Sequence, residues 1–211
     1  MTAMADVTFY TNPMSRGRIA RWMLEEVGCD YEAVLLDFGT TMKGVDYLAI
    51  NPMGKVPAIR HGDTVVTECA AICAYLADAF PDAGLAPALP DRGAYYRWLF
   101  FAAGPVETAV TNNAMGFTLP TEKEQTVGYG SLSHVTDTLE GLFADGRSFV
   151  LGDDFSAADV YLGSQIAWSV GFKTMELRPG FADYIARLDA RPARQRATEK
   201  DNALMPQQGA G

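Results

Sequence analysis

The chain has 211 residues, 48% of them hydrophobic and 20% charged, and a formal net charge of −9. That length buries a sizeable core in one large domain or two small ones, and the composition is ordinary for a soluble globular protein. The acidic balance argues against nucleic-acid binding, because no Lys/Arg-rich stripe neutralises phosphates; Arg16, Arg18 and Arg21 are followed at once by Glu25 and Glu26.

Val7 to Thr11 is a β-branched and aromatic run that reads as a strand, and Asn12-Pro13-Met14 breaks it. From Ser15 the pattern turns helical. Ile19, Met23 and Val27 recur every fourth residue with Ala20 and Leu24 beside them, the charged residues take other faces, and Gly28 stands as the C-terminal stop. Tyr31 to Leu36 reads as a second strand, which makes a βαβ unit with parallel strands and a right-handed crossover. Asp37 to Ile50 is a loop holding one short helix near Tyr47 and Leu48. Asn51-Pro52-Met53-Gly54-Lys55-Val56-Pro57 carries two prolines and a glycine, so it is neither a helix interior nor a central strand. Ala58-Ile59-Arg60 and Thr64-Val65-Val66-Thr67 flank His61-Gly62-Asp63, read as a three-residue hairpin loop with Gly62 in its left-handed position. A helix over Glu68 to Ala79 follows, with Ala71, Ile72, Tyr75, Leu76 and Ala79 on one face.

Pro81 to Pro90 is the clearest composition break and reads as a linker, dividing the chain into residues 1–80, the linker 81–90, and residues 91–211. The first part is α/β and the second all-helical. Tyr95 to Val110 and Glu122 to Asp145 are long and helical in character, the latter interrupted by Gly128, Gly130 and Gly141. In Phe155-Ser156-Ala157-Ala158-Asp159-Val160, Ser156 is placed as an N-cap with Asp159 reaching back to its amide, and Phe155 and Val160 take the staple positions. Shorter helices follow Pro179, read as a first-turn proline, and Pro192. The tail from Met205 to Gly211 is expected to be mobile. Three cysteines (Cys29, Cys69, Cys73) and two histidines suit neither a disulfide framework nor a structural zinc site. Residues Met1 to Asp6 lack the regions of a signal peptide, and no apolar run spans a bilayer, so a reduced, cytoplasmic setting is expected.

Asn51-Pro52-Met53-Gly54-Lys55-Val56-Pro57 with Glu68-Cys69-Ala70-Ala71-Ile72 downstream resembles the glutathione-contacting signature of the soluble glutathione S-transferase family, of a bacterial-like, serine type. The Ser156-x-x-Asp159 box, which in that family opens a buried helix, is a second match. The resemblance implies a thioredoxin-like domain (βαβ-ββα) followed by a helical bundle domain. It implies glutathione as co-substrate, with no metal. On its own chemistry, Ser15 at a helix N-terminus is an N-cap and also a hydroxyl beside unsatisfied amides, where an anion is favoured. The resemblance assigns it the activation of the glutathione thiol, with Tyr10 as runner-up. It further assigns glutathione contacts to Val56 through a cis Pro57, and to Glu68 and Cys69. Lys43 and Lys55 are candidates for the glycyl carboxylate, and Arg16 for support of the thiolate. Cys69 departs from the family's serine and is a poorer donor. No cysteine lies at positions 10 to 18, so a disulfide mechanism has no nucleophile there.

A small, mainly apolar electrophile is expected against Met14, Phe101, Pro105, Thr108 and Met115. The family implies a homodimer. Glutathione-dependent isomerisation or dehalogenation, or binding of glutathione or a protein partner without turnover, are the alternatives on the same scaffold.

Overall fold

In the computed structural model, residues 6–205 are described, and the expectation for the tail beyond Met205 lies outside them. The strands and helices run Val7–Thr11 (β1), Gly17–Val27 (α1), Tyr31–Leu35 (β2), Val45–Leu48 (α2), Ala58–His61 (β3), Thr64–Thr67 (β4) and Cys69–Ala79 (α3). Then come Arg92–Phe101 (α4), Glu107–Ala114 (α5), Leu132–Phe143 (α6), Ala157–Gly171 (α7), Phe181–Asp189 (α8) and Pro192–Ala203 (α9). The chain divides into two compact units, one reaching Ala83 and taking in Arg191 onward, the other running from Gly84 to Ala190. The expectation of a single helical domain over residues 91–211 therefore differs at its end, since α9 belongs with the first unit.

The sheet of the first unit has the order β2-β1-β3-β4. β1 and β2 are parallel, in register from Val7–Tyr31 to Thr11–Leu35. β3 is antiparallel to β1, with Tyr10 opposite Ala58, and β4 is antiparallel to β3. His61 pairs with Thr64, so the hairpin loop is the two residues Gly62-Asp63 rather than the three expected. Gly62, at φ 56, supplies the left-handed backbone that a two-residue turn needs.

Val7, Phe9, Ile19, Met23, Leu24, Ile59, Ile72 and Leu76 are fully buried, and each contributes roughly 1.5–3 kcal/mol. On α3 the buried face is Cys69, Ile72, Cys73, Leu76 and Ala77, rotated from the expected one so that Ala71 is exposed. Gly28 ends α1 at φ 68, a left-handed C-cap.

α1 is buried on a second side as well, where α9 packs along it. The buried positions of α9, Ala193, Ala197 and Asp201, fall four apart. Arg21 Nε donates to Asp201 at 2.8 Å with both side chains almost fully enclosed, and its guanidinium lies over the Phe9 and Tyr31 rings at 5.2 and 5.8 Å. Burial opposes the charge, yet Asp201 and Tyr31 together hold the Arg21 pKa above its ordinary value. Arg191 makes a two-pronged pair with Glu26, at 2.7 and 2.8 Å. Burial pushes Glu25 up, but donation from Lys200, Tyr31 and Arg196 brings it below the usual carboxylate range.

In the second unit, α4 and α5 form one continuous helical run through a π-helical segment at Ala102–Val106. Pro105 lies inside that segment, where its missing N–H and its ring forbid the ordinary α register. The expected long helix over residues 122–145 is shorter. Thr121–Thr126 is a 3-10 stretch, Gly130 turns left-handed at φ 64, and α6 starts only after Ser131, whose hydroxyl accepts from the His134 amide. Pro179 is not the first residue of α8, because Gly180 caps that helix at φ 83; Pro192 does open α9.

The centre of the unit is Asp159. Its two oxygens accept from the Val150 amide (2.7 Å), the Tyr184 hydroxyl (3.0 Å), the Ser156 amide (2.9 Å) and the Ser156 hydroxyl (3.0 Å). Burial pushes its pKa to about 6 against those four donors. Gly163, one turn on, leaves room for α8: a Cβ there would lie 2.3 Å from Leu188 Cδ1.

Asp159→Asn sets an amide N–H against a buried donor, and the urea midpoint should fall by the equivalent of about 2–4 kcal/mol, against about 1 for Ser156→Ala. In the first unit, Asp201→Ala leaves the Arg21 guanidinium buried without its carboxylate partner. It should cost about 3–5 kcal/mol in the same measurement, most of it recovered when Arg21→Met is combined with Asp201→Leu.

Candidate active site

Asn12-Pro13 ends β1, and an Asn in that place locks its own turn. Asn12 Nδ2 donates to the Leu36 carbonyl at 2.8 Å, and its Oδ1 accepts from the Met14 amide at 2.9 Å. Ser15 follows in the turn entering α1, half-buried. Its hydroxyl donates to the Asn12 carbonyl at 2.7 Å and accepts from the Gly17 amide at 2.9 Å. Arg16 is the N-cap of α1, so Ser15 stands one residue before the expected capping position, though its hydroxyl still takes up the first amide of the helix at the positive helix end. Gly17 permits the close approach: a Cβ there would lie 2.0 Å from Thr11 Oγ1 and 3.0 Å from Ser15 Oγ. The Thr11 hydroxyl is fully buried without a hydrogen-bond partner among the described residues, a polar group beside the turn that the sequence reading did not single out.

Tyr10 packs its ring 5.5 Å from that of Tyr47, against a cluster of Leu36, Met42, Tyr47 and Ala58. That is the core role open to a strand residue. The Tyr47 hydroxyl donates to the Lys55 carbonyl at 2.6 Å, and Asn51 Nδ2 donates to the same oxygen at 2.8 Å. Burial pushes the Tyr47 pKa to about 12, so it stays a donor. Lys43 is taken up in the same turn: its ammonium donates to the carbonyls of Gly54 (2.6 Å) and Met53 (3.2 Å). Gly54 stands at φ 56, and a Cβ there would come within 2.9 Å of the Met42 carbonyl oxygen.

These braces fix the segment before β3. The Val56–Pro57 peptide is cis. Among the described residues, the amide and carbonyl of Val56 pair with no other backbone group. Extending the register of β1 and β3 by two residues sets Val56 opposite Asn12. Lys55 is exposed.

Glu68 caps α3 at φ 63 and ψ 117, a conformation that a residue with a Cβ rarely adopts. Such a backbone costs of order 1–3 kcal/mol, and its side chain is exposed. The next residue ties α3 to α1: Cys69 is buried and its thiol donates to the Arg16 carbonyl over 3.7 Å. The N-termini of two helices thus meet, one carrying Ser15 and the other Glu68. The structure brings Ser15, Arg16, Glu68 and Cys69 to one place, with Val56 on the register beside Asn12. It gives Lys43 to the turn and Tyr10 to the packed cluster.

Met14 is exposed next to Ser15. In the second unit, a cleft of about 510 Å³ is lined by Pro105, Thr108, Phe117, Leu119, Val127 and Tyr129. Phe101 and Met115 are not among its lining residues; Phe101 packs edge-on against Trp98.

A mixed sheet of this order, with a cis-proline segment before β3 and a following helical unit, defines a thioredoxin-like domain joined to a helical one. Residues 5–78 match the glutathione S-transferase N-terminal domain. The chain is 31% identical over 183 residues to glutathione S-transferase GstA of Escherichia coli O157:H7, covering 82% of this chain and 88% of that one. It superposes on a glutathione transferase from Methylococcus capsulatus with a TM-score of 0.74 and 32% identity, over 93% of this chain and 99% of that one. A sphingomonad glutathione S-transferase complexed with glutathione gives a TM-score of 0.74 and 28% identity, over 92% and 98%. The chain belongs to the glutathione S-transferase family.

Glu68→Gly removes the Cβ that makes the capping conformation costly, and the protein should gain about 1 kcal/mol in urea unfolding. Glu68→Gln keeps the Cβ and should leave the midpoint unchanged.

Proposed function

We propose that this protein is a serine-type glutathione transferase in which Ser15 holds the glutathione thiol as a thiolate. The observation that carries the reading is the Ser15 hydroxyl, held at the N-terminus of α1 where α3 also begins. To meet a thiolate the hydroxyl turns its proton away from the Asn12 carbonyl, while its oxygen still accepts from Gly17. The thiol proton leaves to solvent. The hydroxyl donation and the positive helix end then stabilise the sulfur anion, a fixed electrostatic contribution needing no rearrangement of the backbone. The sulfur attacks an electrophilic carbon; the C–S bond forms, and the electron pair of the bond broken leaves with the displaced group.

The other parts of glutathione have natural partners. The amide and carbonyl of Val56 are free to pair with the peptide in antiparallel fashion beside Pro57. Glu68 answers the γ-glutamyl ammonium, and the first amides of α3 answer its carboxylate. Cys69, turned to the Arg16 carbonyl, braces that helix end. Lys55 is the cation left for the glycyl carboxylate, since Lys43 supports the turn. The second substrate is a small apolar electrophile. The working form is a cytoplasmic homodimer.

Ultraviolet difference titration of bound glutathione tests the role of Ser15. A thiolate band rising at pH about 6–7 is expected in the wild type, moving to about 8.5, the value of a free thiol, in Ser15→Ala. The kcat with an aryl halide should fall about 10²–10³-fold, as for loss of one oxyanion donor. A band unchanged by the substitution sinks the assignment.

A further inference from the structure

One side chain joins the Ser15 turn to the far end of the chain. Arg18 Nη1 donates to the Pro13 carbonyl at 3.2 Å, and Arg18 Nη2 donates to Asn202 Oδ1 at 2.7 Å. Pro13 lies between Asn12, which accepts from the Ser15 hydroxyl, and Met14, whose amide is bonded to Asn12 Oδ1. Arg18 therefore grips the stretch from Asn12 to Arg16 at its second residue, on a carbonyl that accepts no other hydrogen bond among the described residues. The guanidinium is a planar fork, so fixing one prong on Asn202 sets where the other points. Asn202 is itself placed by its neighbour, because Asp201 is locked to Arg21 in the buried pair.

We propose that Asn202 is a positioning residue for Ser15, acting through Arg18 on the Pro13 carbonyl. The inference rests on the reading of Ser15 as the group that holds the thiolate. Without Asn202 the fork swings free, the Pro13 carbonyl loses a defined donor, and the turn samples orientations in which the Ser15 hydroxyl is misaimed. The effect falls on the chemical step and not on glutathione binding, because Val56 and Glu68 lie on other segments.

Asn202 is exposed in the last turn of α9, so Asn202→Ala should fold as the wild type does. Three variants separate the link from its alternatives. Asn202→Ala removes the acceptor. Asn202→Asp keeps it. Arg18→Lys keeps the positive charge near the helix start but cannot bridge two acceptors as a rigid fork.

For Asn202→Ala and Arg18→Lys, the expected result is a kcat reduced about 3- to 10-fold at pH 6.5, with KM for glutathione within twofold. The thiolate titration should move up by about half a pH unit, which is about a threefold change in the equilibrium. Amide hydrogen exchange over residues 14–18 should speed up in parallel. Asn202→Asp should restore most of all three readouts. Wild-type titration and exchange in Asn202→Ala, measured beside a Ser15→Ala that does lose the band, overturn the inference while leaving the role of Ser15 intact. Faster exchange without a shifted titration also overturns it, since the turn would then loosen without affecting the sulfur. A Ser15→Ala that keeps the band removes the premise, and the two failures are told apart by that control.

Discussion

Arg21 and Asp201 stand 2.8 Å apart with at most 3% of either side chain exposed, and the placing of α1 turns on that pair. Burying two charges is expensive, and a well-packed apolar pair gives similar stability. What the pair adds is register. Reading down α1 and up α9, Arg18 meets Asn202, Arg21 meets Asp201, Glu25 meets Lys200 and Arg196, and Glu26 meets Arg191. Sliding α9 by one turn brings Ala197 to Arg21 and strands Asp201 in an apolar setting without its cation. Small residues at Ala193 and Ala197 allow the close approach, while the charges refuse every other alignment.

The consequence reaches the site, because α1 supplies the turn that holds Ser15. A helix packed on the sheet along one side and on α9 along the other has little freedom to tilt. Its N-terminal amides then keep one direction, which is the condition under which a helix end stabilises an anion without reorganisation. The same economy appears at α3. Its cap residue Glu68 is held in an unfavourable backbone conformation, and the Cys69–Arg16 contact anchors the helix end beside α1. Strain of this kind persists only where surrounding contacts over-determine it.

How much was legible in the sequence follows the range of the interactions. β1, α1, the hairpin and the Ser156–Asp159 box were readable, since each is written in residues a few positions apart. The Asn51–Pro57 segment was readable as a turn from its two prolines and its glycine. The role of Lys43 was not, because its acceptors are carbonyls presented only once the turn has formed. Arg21 and Glu25 read only as charges on the other faces of α1; their partners lie 180 and 171–175 residues away, beyond any periodicity argument. For the same reason α9 was assigned to the helical domain. The overlong helix before residue 145 erred differently. Gly128 and Gly130 look in sequence like interruptions of one helix, whereas a left-handed Gly130 followed by a capping Ser131 marks a fresh start.

The cysteine at position 69 shows how a departure from a family pattern can be accommodated by geometry. A serine hydroxyl there would be a strong donor competing for whatever anion or carbonyl lies nearby. The thiol is a weak donor, prefers an apolar setting, and here is 7% exposed and turned toward Arg16. With the side chain committed between the helices, the proposed contact with the γ-glutamyl carboxylate would fall to the backbone amides of that end of α3. Those amides are fixed by the helix and not by the residue type, so under the proposed reading the exchange of oxygen for sulfur would alter the strength of one contact and leave the direction of the amides unchanged.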